Sequence, residues 1–263
     1  MRINNNVTAI NSHRQYTINN TAIAKNVEKL SSGFRVNRAG DDAAGLAISE
    51  KMRTQIRGLN MASKNSQDAI SLIQTAEGAM QSAHNIMQRM RELAVQSANG
   101  TNVTLDRNAL DLEFQQLVSE LGAVEETFTF NDLTLFDSNF TVQSGANEGH
   151  ATTFSVGSIN LVTGEQIDTM TLASQAITAV NSAINTLSLT RAQLGAIQNR
   201  LEFKIQNLDN TAENLQAAES RIRDVDMAKM MTEFTKNNIL FQASTAMLAQ
   251  ANALPQGVLQ LLR

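Results

Sequence analysis

Apolar residues recur every three and four positions along two long stretches of this chain, and this spacing constrains the fold more than any other feature. In the C-terminal half the repeat runs from Ala173 to Val225. Only Thr190, Lys204 and Thr211 interrupt it. A sustained heptad repeat predicts coiled-coil packing, and one helix over this stretch would be roughly 80 Å long at about 1.5 Å per residue. The pattern therefore predicts a rod.

Two further stripes in the N-terminal half predict partners for that helix. The longer stripe runs from Leu59 to Ala94 and alternates alanine with methionine or isoleucine, which allows close approach of two helices. The shorter stripe runs from Leu110 to Val124 and has Asp106 as its expected cap. With a single proline in the whole chain, few residues can break such helices. Three helices can thus bury one another.

The pattern changes at about residues 127–168, where a β-rich segment is predicted. Its alternating apolar residues are Phe128, Phe130, Leu133, Leu135, Phe140, Val142, Phe154, Val156, Ile159 and Leu161. Turn signals lie at residues 144–149 and 162–164. We expect short strands that form a small cap at the far end of the rod. Hydroxyl glycosylation in this segment, at residues such as Ser144 or Thr152, is compatible with the sequence.

Both ends of the chain are amphipathic, and the C-terminal end carries two apolar columns. The N-terminal stripe consists of Tyr16, Asn20, Ile23, Val27, Leu30 and Phe34. The first C-terminal column consists of Met227, Phe234, Phe241 and Leu248. The second, neighbouring column consists of Leu240, Met247, Leu254 and Leu261. Two columns are wider than one partner helix can cover, so the excess surface is expected to contact additional neighbours.

The fold class predicted from these stripes is mainly α, a long antiparallel coiled-coil rod with a small β-hairpin region, in which the N- and C-terminal helices pair. We expect residues 1–41 and 224–263 to form an inner domain of terminal helices. Residues 42–223 are expected to form the rod domain, with three helices and the β-rich segment. Asp41 or Asp42 is the expected cap of the second helix.

Composition and charge exclude several classes of function. A net charge of −4 gives no electrostatic reason to expect nucleic-acid binding, and without cysteine there is no disulfide or thiolate site. The three histidines are too scattered for a metal site. Asparagine and glutamine interrupt the charge-free stretch at 237–262 too often for membrane insertion. We therefore predict no enzyme activity, no cofactor and no metal.

Four charged residues lie just before the C-terminal columns, and none of them is expected to have a catalytic role. Arg221, Arg223, Asp224 and Asp226 are expected to be solvated or to form bridges between subunits.

Five passages of the chain resemble bacterial flagellin, the subunit of the flagellar filament. They are Met1 to Asn6, Lys29 to Glu50, Gln88 to Gly100, Gly195 to Leu201 and Ala217 to Arg263. The resemblance implies that the termini form an inner tubular layer of a homopolymer and that the rod surrounds it. Because about forty residues separate the third helix from the long returning one, it also implies a short form that lacks the large outer domains.

The resemblance also implies partners and a location. It implies export through the flagellar type III apparatus without a cleavable signal peptide, an export chaperone on the C-terminal helix, and contacts with filament cap and hook-associated proteins. It further implies recognition by a toll-like innate receptor through Arg89, Leu93 and Glu113. The expected location is the extracellular flagellum.

Alternatives to a filament subunit stay open at this point. A hook–filament junction protein shares the terminal pattern but occupies a limited position and does not extend indefinitely. A secreted amphipathic pore former would use the charge-free C-terminal helix against a membrane. An enzyme remains only as a default, because the sequence contains no grouping of nucleophile, base and stabilising residue.

Overall fold

The computed structural model describes residues 6–159, 162 and 164–261, with side chains described as far as Ala253. The helices are α1 (Val7–Ser32), α2 (Ala43–Ser97), α3 (Thr104–Thr127), α4 (Met170–Arg223) and α5 (Met227–Leu261). The strands are β1 (Thr129–Phe130), β2 (Leu133–Thr134), β3 (Ser138–Gln143) and β4 (Ala151–Val156). The mainly α class with a small β region is therefore confirmed.

The chain divides into two compact units. The terminal unit comprises Met1–Thr54 and Asn214–Arg263, and the central unit comprises Gln55–Glu213. Helices α2 and α4 each contribute residues to both units.

The core of the central unit forms along the predicted stripes of α2 and α4. The buried stripe of α2 comprises Ala62, Ser66, Ala69, Ile73, Ala76, Met80, Ala83, Met87, Met90 and Ala94. The buried residues of α4 are Ala173, Ala176, Val180, Ala183, Leu187, Leu194, Leu201, Leu208 and Ala212. Helix α3 adds Phe114, Leu121 and Val124 to the core. Arg191 of α4 also reaches Glu77 of α2 at 3.4 Å. Small and large side chains thus alternate along the seam, as close helix packing requires.

A second buried column on α2 was not predicted. Leu72, Ala79 and Leu93 are as buried as the predicted stripe and belong to the same core cluster. Phe114 of α3 and Leu135, which follows β2, are members of that cluster. Helix α2 therefore buries two faces, because the central unit supplies neighbours for both.

The β-rich segment forms two antiparallel hairpins. Strands β1 and β2 are joined by Asn131 and Asp132, whose φ values of 50° and 62° are those of a tight two-residue turn. In the longer hairpin, β3 pairs with β4, and the rings of Phe140 and Phe154 lie 5.7 Å apart. Ile159 lies outside the strands. The predicted strand residue Leu161 and the turn residue Thr163 lie outside the described residues.

The position of the longer hairpin differs from the expected cap at the end of the rod. Asn65 Nδ2 donates to the Gln143 carbonyl at 3.1 Å, and Ala146 lies against Gly58. Chain reversal between α2 and α3 instead occurs at residues 98–103. The hairpin therefore folds back along α2, because its alternating apolar face is buried against the helices and not at their end.

Two interruptions of the α4 repeat are explained by this placement. Lys204 Nζ donates to Ser144 Oγ at 2.5 Å and to Thr152 Oγ1 at 3.2 Å. The other interruption, Thr190, lies beside Gly157, just after β4. Burial lowers the pKa of Lys204, and the nearby charge of Arg200 adds to the effect. Polar residues thus replace apolar ones where α4 meets the hairpin.

The hydroxyl groups of Ser144 and Thr152, which accept hydrogen bonds from Lys204, are not accessible for glycosylation in the folded chain. Ser144 and Thr152 are both buried, and their oxygens lie 2.8 Å apart. Glycosylation at these two residues, which the sequence alone allowed, is therefore blocked by the fold.

Gly58 and Gly78 provide a matched test of how the hairpin seats on α2. A Cβ at Gly58 would lie 2.9 Å from Ala146 Cβ and 3.3 Å from its Cα, whereas one at Gly78 would meet nothing within 4 Å. We expect Gly78→Ala to raise the free energy of unfolding by about 0.5–1 kcal/mol through helix propensity. We expect Gly58→Ala to lower it by about 1 kcal/mol, because overpacking outweighs that gain.

Urea unfolding of the monomeric variants, followed by circular dichroism, measures both effects. An equal gain in the two variants would show that the hairpin tip does not press on α2.

Candidate self-assembly interface

Helices α1 and α5 pair antiparallel in the terminal unit. Asn6 caps α1 by accepting a hydrogen bond from the Ala9 N–H at 3.1 Å. The same side chain donates through Nδ2 to the Ala251 carbonyl at 2.7 Å. One asparagine therefore both starts α1 and ties it to the far part of α5.

Aromatic and polar contacts continue this pairing further along α1. The rings of Tyr16 and Phe241 lie 4.8 Å apart, within the range of favourable aromatic contacts. Asn19 Nδ2 donates to Ser244 Oγ at 2.9 Å. The contact therefore combines apolar and directional interactions, and the directional ones set which residues lie opposite each other.

The predicted columns of α5 have different exposures. Phe234, Phe241 and Leu248 are half-buried, whereas 49% of Met227, 42% of Leu240 and 62% of Met247 are exposed. The side chain of Leu254 lies outside the described residues. The first column is thus half-buried from Phe234 to Leu248, while Met227 at its start is exposed, and the neighbouring column remains open.

Helix α1 shows the same division. Tyr16, Ile23, Leu30 and, just after the helix, Phe34 are half-buried, while Val27 is 48% exposed. Exposed apolar residues that were not predicted are Val7, Ile10, Ile18, Met231 and Ile239. Their apolar character alone could have indicated them, but they fall outside the two stripes that periodicity selected.

A shallow groove runs between α1 and α5 beside the open column. Asn11 and Gln15 of α1 line one wall, and Leu240 and Met247 of α5 line the other. Apolar side chains mixed with amide groups are typical of surfaces that bind another protein. A further helix could therefore cover the open column at this groove.

The ends of α1 and α4 are joined by a short backbone pairing. Gly33 ends α1 in the left-handed conformation at φ 73°, which costs glycine no steric strain. Next to it, the Arg35 N–H donates to the Arg223 carbonyl at 2.7 Å, and the Val225 N–H donates to the Gly33 carbonyl at 3.0 Å. The predicted repeat continued to Val225, but α4 ends two residues earlier because this pairing takes up the backbone.

Arg223 is not the solvated or intersubunit charge that the sequence suggested. Its guanidinium lies 4.6 Å above the centre of the Phe34 ring, and its Nη1 donates to Glu50 Oε1 at 2.6 Å. The Arg223 side chain is only 11% exposed, against 54% for Glu50. The ion pair with Arg223 holds the pKa of Glu50 below its ordinary value of 4.5. These contacts join the segment just after α1 to α2 and α4 within the terminal unit.

The neighbouring carboxylates also have local roles. Asp42 caps α2 by accepting from the Gly45 N–H at 2.8 Å. Asp41 accepts from the Asn37 and Arg38 N–H groups, both at 3.2 Å, and these bonds lower its pKa. Asp226 accepts from the Lys229 N–H at 3.1 Å at the start of α5. The turns that precede α2 and α5 are therefore each held by aspartate side chains.

The three predicted receptor residues lie in the central unit. Arg89 donates to Glu113 at 2.9 and 2.7 Å and to Glu92 at 3.2 Å, and these partners raise its pKa. Leu93 is fully buried in the core. Arg89 and Glu113 thus present a paired polar surface, whereas Leu93 is not exposed.

Two kinds of site are absent from the part of the chain that the structure describes. No three histidine, aspartate or glutamate residues there are grouped so that they could hold a metal ion. None of the helices described is long and apolar enough to cross a membrane.

Comparison with known families identifies the chain. Residues 3–141 match the family model for the bacterial flagellin N-terminal helical region. Residues 177–262 match the one for the bacterial flagellin C-terminal helical region. This chain belongs to the bacterial flagellin family.

Individual relatives are similar over their whole length. The chain is 58% identical over 272 residues to a flagellin of Halalkalibacterium halodurans and 50% identical over 304 residues to one of Bacillus subtilis, with full coverage of both sequences in each case. It is 46% identical over 286 residues to the flagellar filament 33 kDa core protein of Treponema phagedenis, again with full coverage. The short form is thus shared with these relatives.

A solved flagellin structure is also similar. The crystal structure of Bacillus cereus flagellin matches with a TM-score of 0.51 and 32% identity, covering 59% of this chain and 94% of that one.

The Arg223–Glu50 pair predicts an acid-dependent contribution to the stability of the monomer. Because the folded pKa of Glu50 is depressed, the pair stabilises the fold fully above the unfolded value of 4.5. This contribution is lost as pH falls through the folded pKa. We expect Arg223→Met, which keeps an apolar stem over Phe34, to be less stable than the unmodified chain at neutral pH, and the difference to shrink in acid.

Urea unfolding of the two monomers across the acid range measures the difference. Arg53→Met is the control, because the Arg53 contact with Glu50 is longer at 3.4 Å and more exposed. A difference for Arg223→Met that does not change with pH would contradict the prediction.

Proposed function

We propose that this chain polymerises into the bacterial flagellar filament, the propeller for swimming, through the apolar surface that α1 and α5 leave exposed. Relatives named as flagellins and as a flagellar filament core protein support the filament role. The observation that carries the mechanism is the open column of α5, which remains uncovered after α5 has paired with α1.

Burial of that column is the driving force. Burial of apolar surface is favourable by a free energy of about 25 cal/mol for each Å² removed from water. Monomeric proteins rarely expose large contiguous apolar patches. The open column and the α1 residues beside it lie on different helices of one subunit. If these different surfaces of successive copies meet, the contact is head-to-tail, and it builds an open helical assembly when the rotation between copies does not close into a ring. A filament is the structure that such an interface builds.

The proposed layers follow from the same surface. Residues 1–41 and 224–263 would form the inner layer, where each open column is covered by neighbouring copies. Residues 42–223 would form the layer around it. The central unit supports an outer position because its core is already closed by its own helices and hairpins.

Further partners would act on the same helices before and during assembly. An export chaperone would cover α5 while the chain awaits type III export without a cleavable signal peptide. The filament cap and the hook-associated proteins would contact the two ends of the polymer, outside the cell. We propose no enzymatic activity, because the family is a structural one.

Met247 provides a direct test of assembly. Its side chain is 62% exposed in the monomer, so Met247→Asp should leave the α1–α5 pair folded. An aspartate buried between subunits has no compensating charge, which strongly disfavours association. We expect Met247→Asp to abolish filaments seen by negative-stain electron microscopy, while helical content by circular dichroism is unchanged.

Met247→Leu is the matched control and should polymerise like the unmodified chain. Filaments of normal length from Met247→Asp would overturn the proposed surface.

The two alternatives differ in measurable ways. A hook–filament junction protein would not elongate indefinitely from seeds of purified protein, whereas a filament subunit would. A pore former would release dye from liposomes without forming polymers.

Recognition by a toll-like innate receptor is a separate proposal for the Arg89 surface. The exposed pair of Arg89 and Glu113 supports a polar contact, and buried Leu93 would act by holding α2 in place. We expect Arg89→Ala to weaken receptor signalling by the monomer, measured in reporter cells. Unchanged signalling by a folded Arg89→Ala monomer would show that the receptor does not bind this surface through Arg89.

A further inference from the structure

The turn between α2 and α3 contains the dipeptide Asn99-Gly100, which occurs nowhere else in the chain. Both residues are exposed. Because glycine has no Cβ, its backbone nitrogen is less shielded than that of any other residue. The side-chain amide of asparagine is an electrophile that this nitrogen can reach within a five-membered ring. The dipeptide therefore carries both the nucleophile and the electrophile of an intramolecular reaction.

The hydrogen bonds of the turn prepare this reaction. Asn99 Oδ1 accepts from the Thr101 N–H at 3.4 Å, which folds the side chain over the Gly100 backbone and polarises the Cγ carbonyl. Within the part of the chain that the structure describes, neither the Gly100 N–H nor Asn99 Nδ2 has a hydrogen-bond partner. The nucleophile and the leaving group are thus both free.

We propose that Asn99 is a site of spontaneous deamidation in the folded subunit. The Gly100 nitrogen bonds to Asn99 Cγ, the Cγ–Nδ2 bond breaks, and ammonia leaves with the proton that Gly100 gives up. Water then opens the cyclic imide, adding hydroxyl to one carbonyl carbon and a proton to the Gly100 nitrogen. Opening at Cγ gives aspartate, and opening at the main-chain carbonyl gives isoaspartate. Either product adds one negative charge to the subunit.

Arg107 favours the isoaspartate product. Its Nη2 donates to the Asn99 main-chain carbonyl at 3.2 Å, and its Nε donates to the Ser97 carbonyl at 3.1 Å. In isoaspartate the Asn99 carbonyl oxygen becomes part of a free carboxylate. The neutral contact with Arg107 is then replaced by a charge-assisted one, which is roughly twice as strong. The guanidinium is therefore placed to polarise that carbonyl and to retain the product.

Formation of isoaspartate changes the backbone of the turn. Isoaspartate routes the main chain through Cγ, so the Asn99 carbonyl, which accepts from the Asn102 N–H at 3.4 Å, leaves the main chain. The new charge also lies near the C-terminus of α2, where the helix dipole disfavours a negative charge. The reaction needs only the monomer and does not depend on assembly into a filament.

Peptide mapping by mass spectrometry tests the proposal on the full-length monomer kept folded at mildly alkaline pH. We expect Asn99 to lose its amide, and isoaspartate to be detected by methyl transfer from an isoaspartate-specific methyltransferase. Asn102 in the same turn is followed by valine and should remain intact. Gly100→Ala is the matched variant, since a Cβ there meets only Met170 Cε at 3.6 Å. It should slow the reaction about tenfold or more.

Two outcomes would overturn the proposal. The first is an Asn99 that stays intact in the folded monomer and reacts only after unfolding in urea. The second is a Gly100→Ala variant that reacts as fast as the unmodified chain. The ratio of isoaspartate to aspartate tests the role of Arg107 separately. Arg107→Gln should lower the share of isoaspartate. An unchanged share would show that Arg107 does not direct the opening of the imide.

Discussion

Helix α5 presents more apolar surface than α1 can cover, and the proposed assembly depends on this excess. The column that contains Phe241 packs against α1, where Tyr16 meets the Phe241 ring. The neighbouring column that contains Met247 has no such partner in the described part of the chain and stays open to solvent. Because apolar surface is stabilised by removal from water, the terminal unit is folded but incomplete as a monomer.

The central unit contains the opposite arrangement. Helix α2 also has two apolar columns there, but α3 and the segment between β2 and β3 contribute side chains to the same core, including Phe114 and Leu135. Both columns are consequently buried, including the one that contains Leu93. The two units are built from similar amphipathic helices, but only the central unit contains enough side chains of its own to cover both apolar columns of a helix.

Periodicity could predict much of this fold because it identifies which face of a helix is apolar. It selected the α2 stripe from Leu59 to Ala94, which is buried from Ala62 onward, and the α4 stripe, whose apolar members are mostly buried as far as Leu208. It could not predict the second α2 column or the placement of the hairpin, since neither depends on the repeat itself. Nor could it predict that Arg223 packs on Phe34 and pairs with Glu50, because those residues are distant in sequence. Spacing identifies the faces, and tertiary contacts decide what covers them.

The polar interruptions of α4 add information that the apolar repeat lacks. A uniform heptad seam offers nearly equivalent packing after a shift of seven residues, so it specifies register weakly. Lys204 breaks that equivalence, because its ammonium finds hydroxyl partners only where Ser144 and Thr152 lie. Shifting the hairpin along α4 would leave a partly buried charge without those partners, which is costly. The interruption therefore contributes to the specificity of the fold by holding the hairpin at one position on the helix.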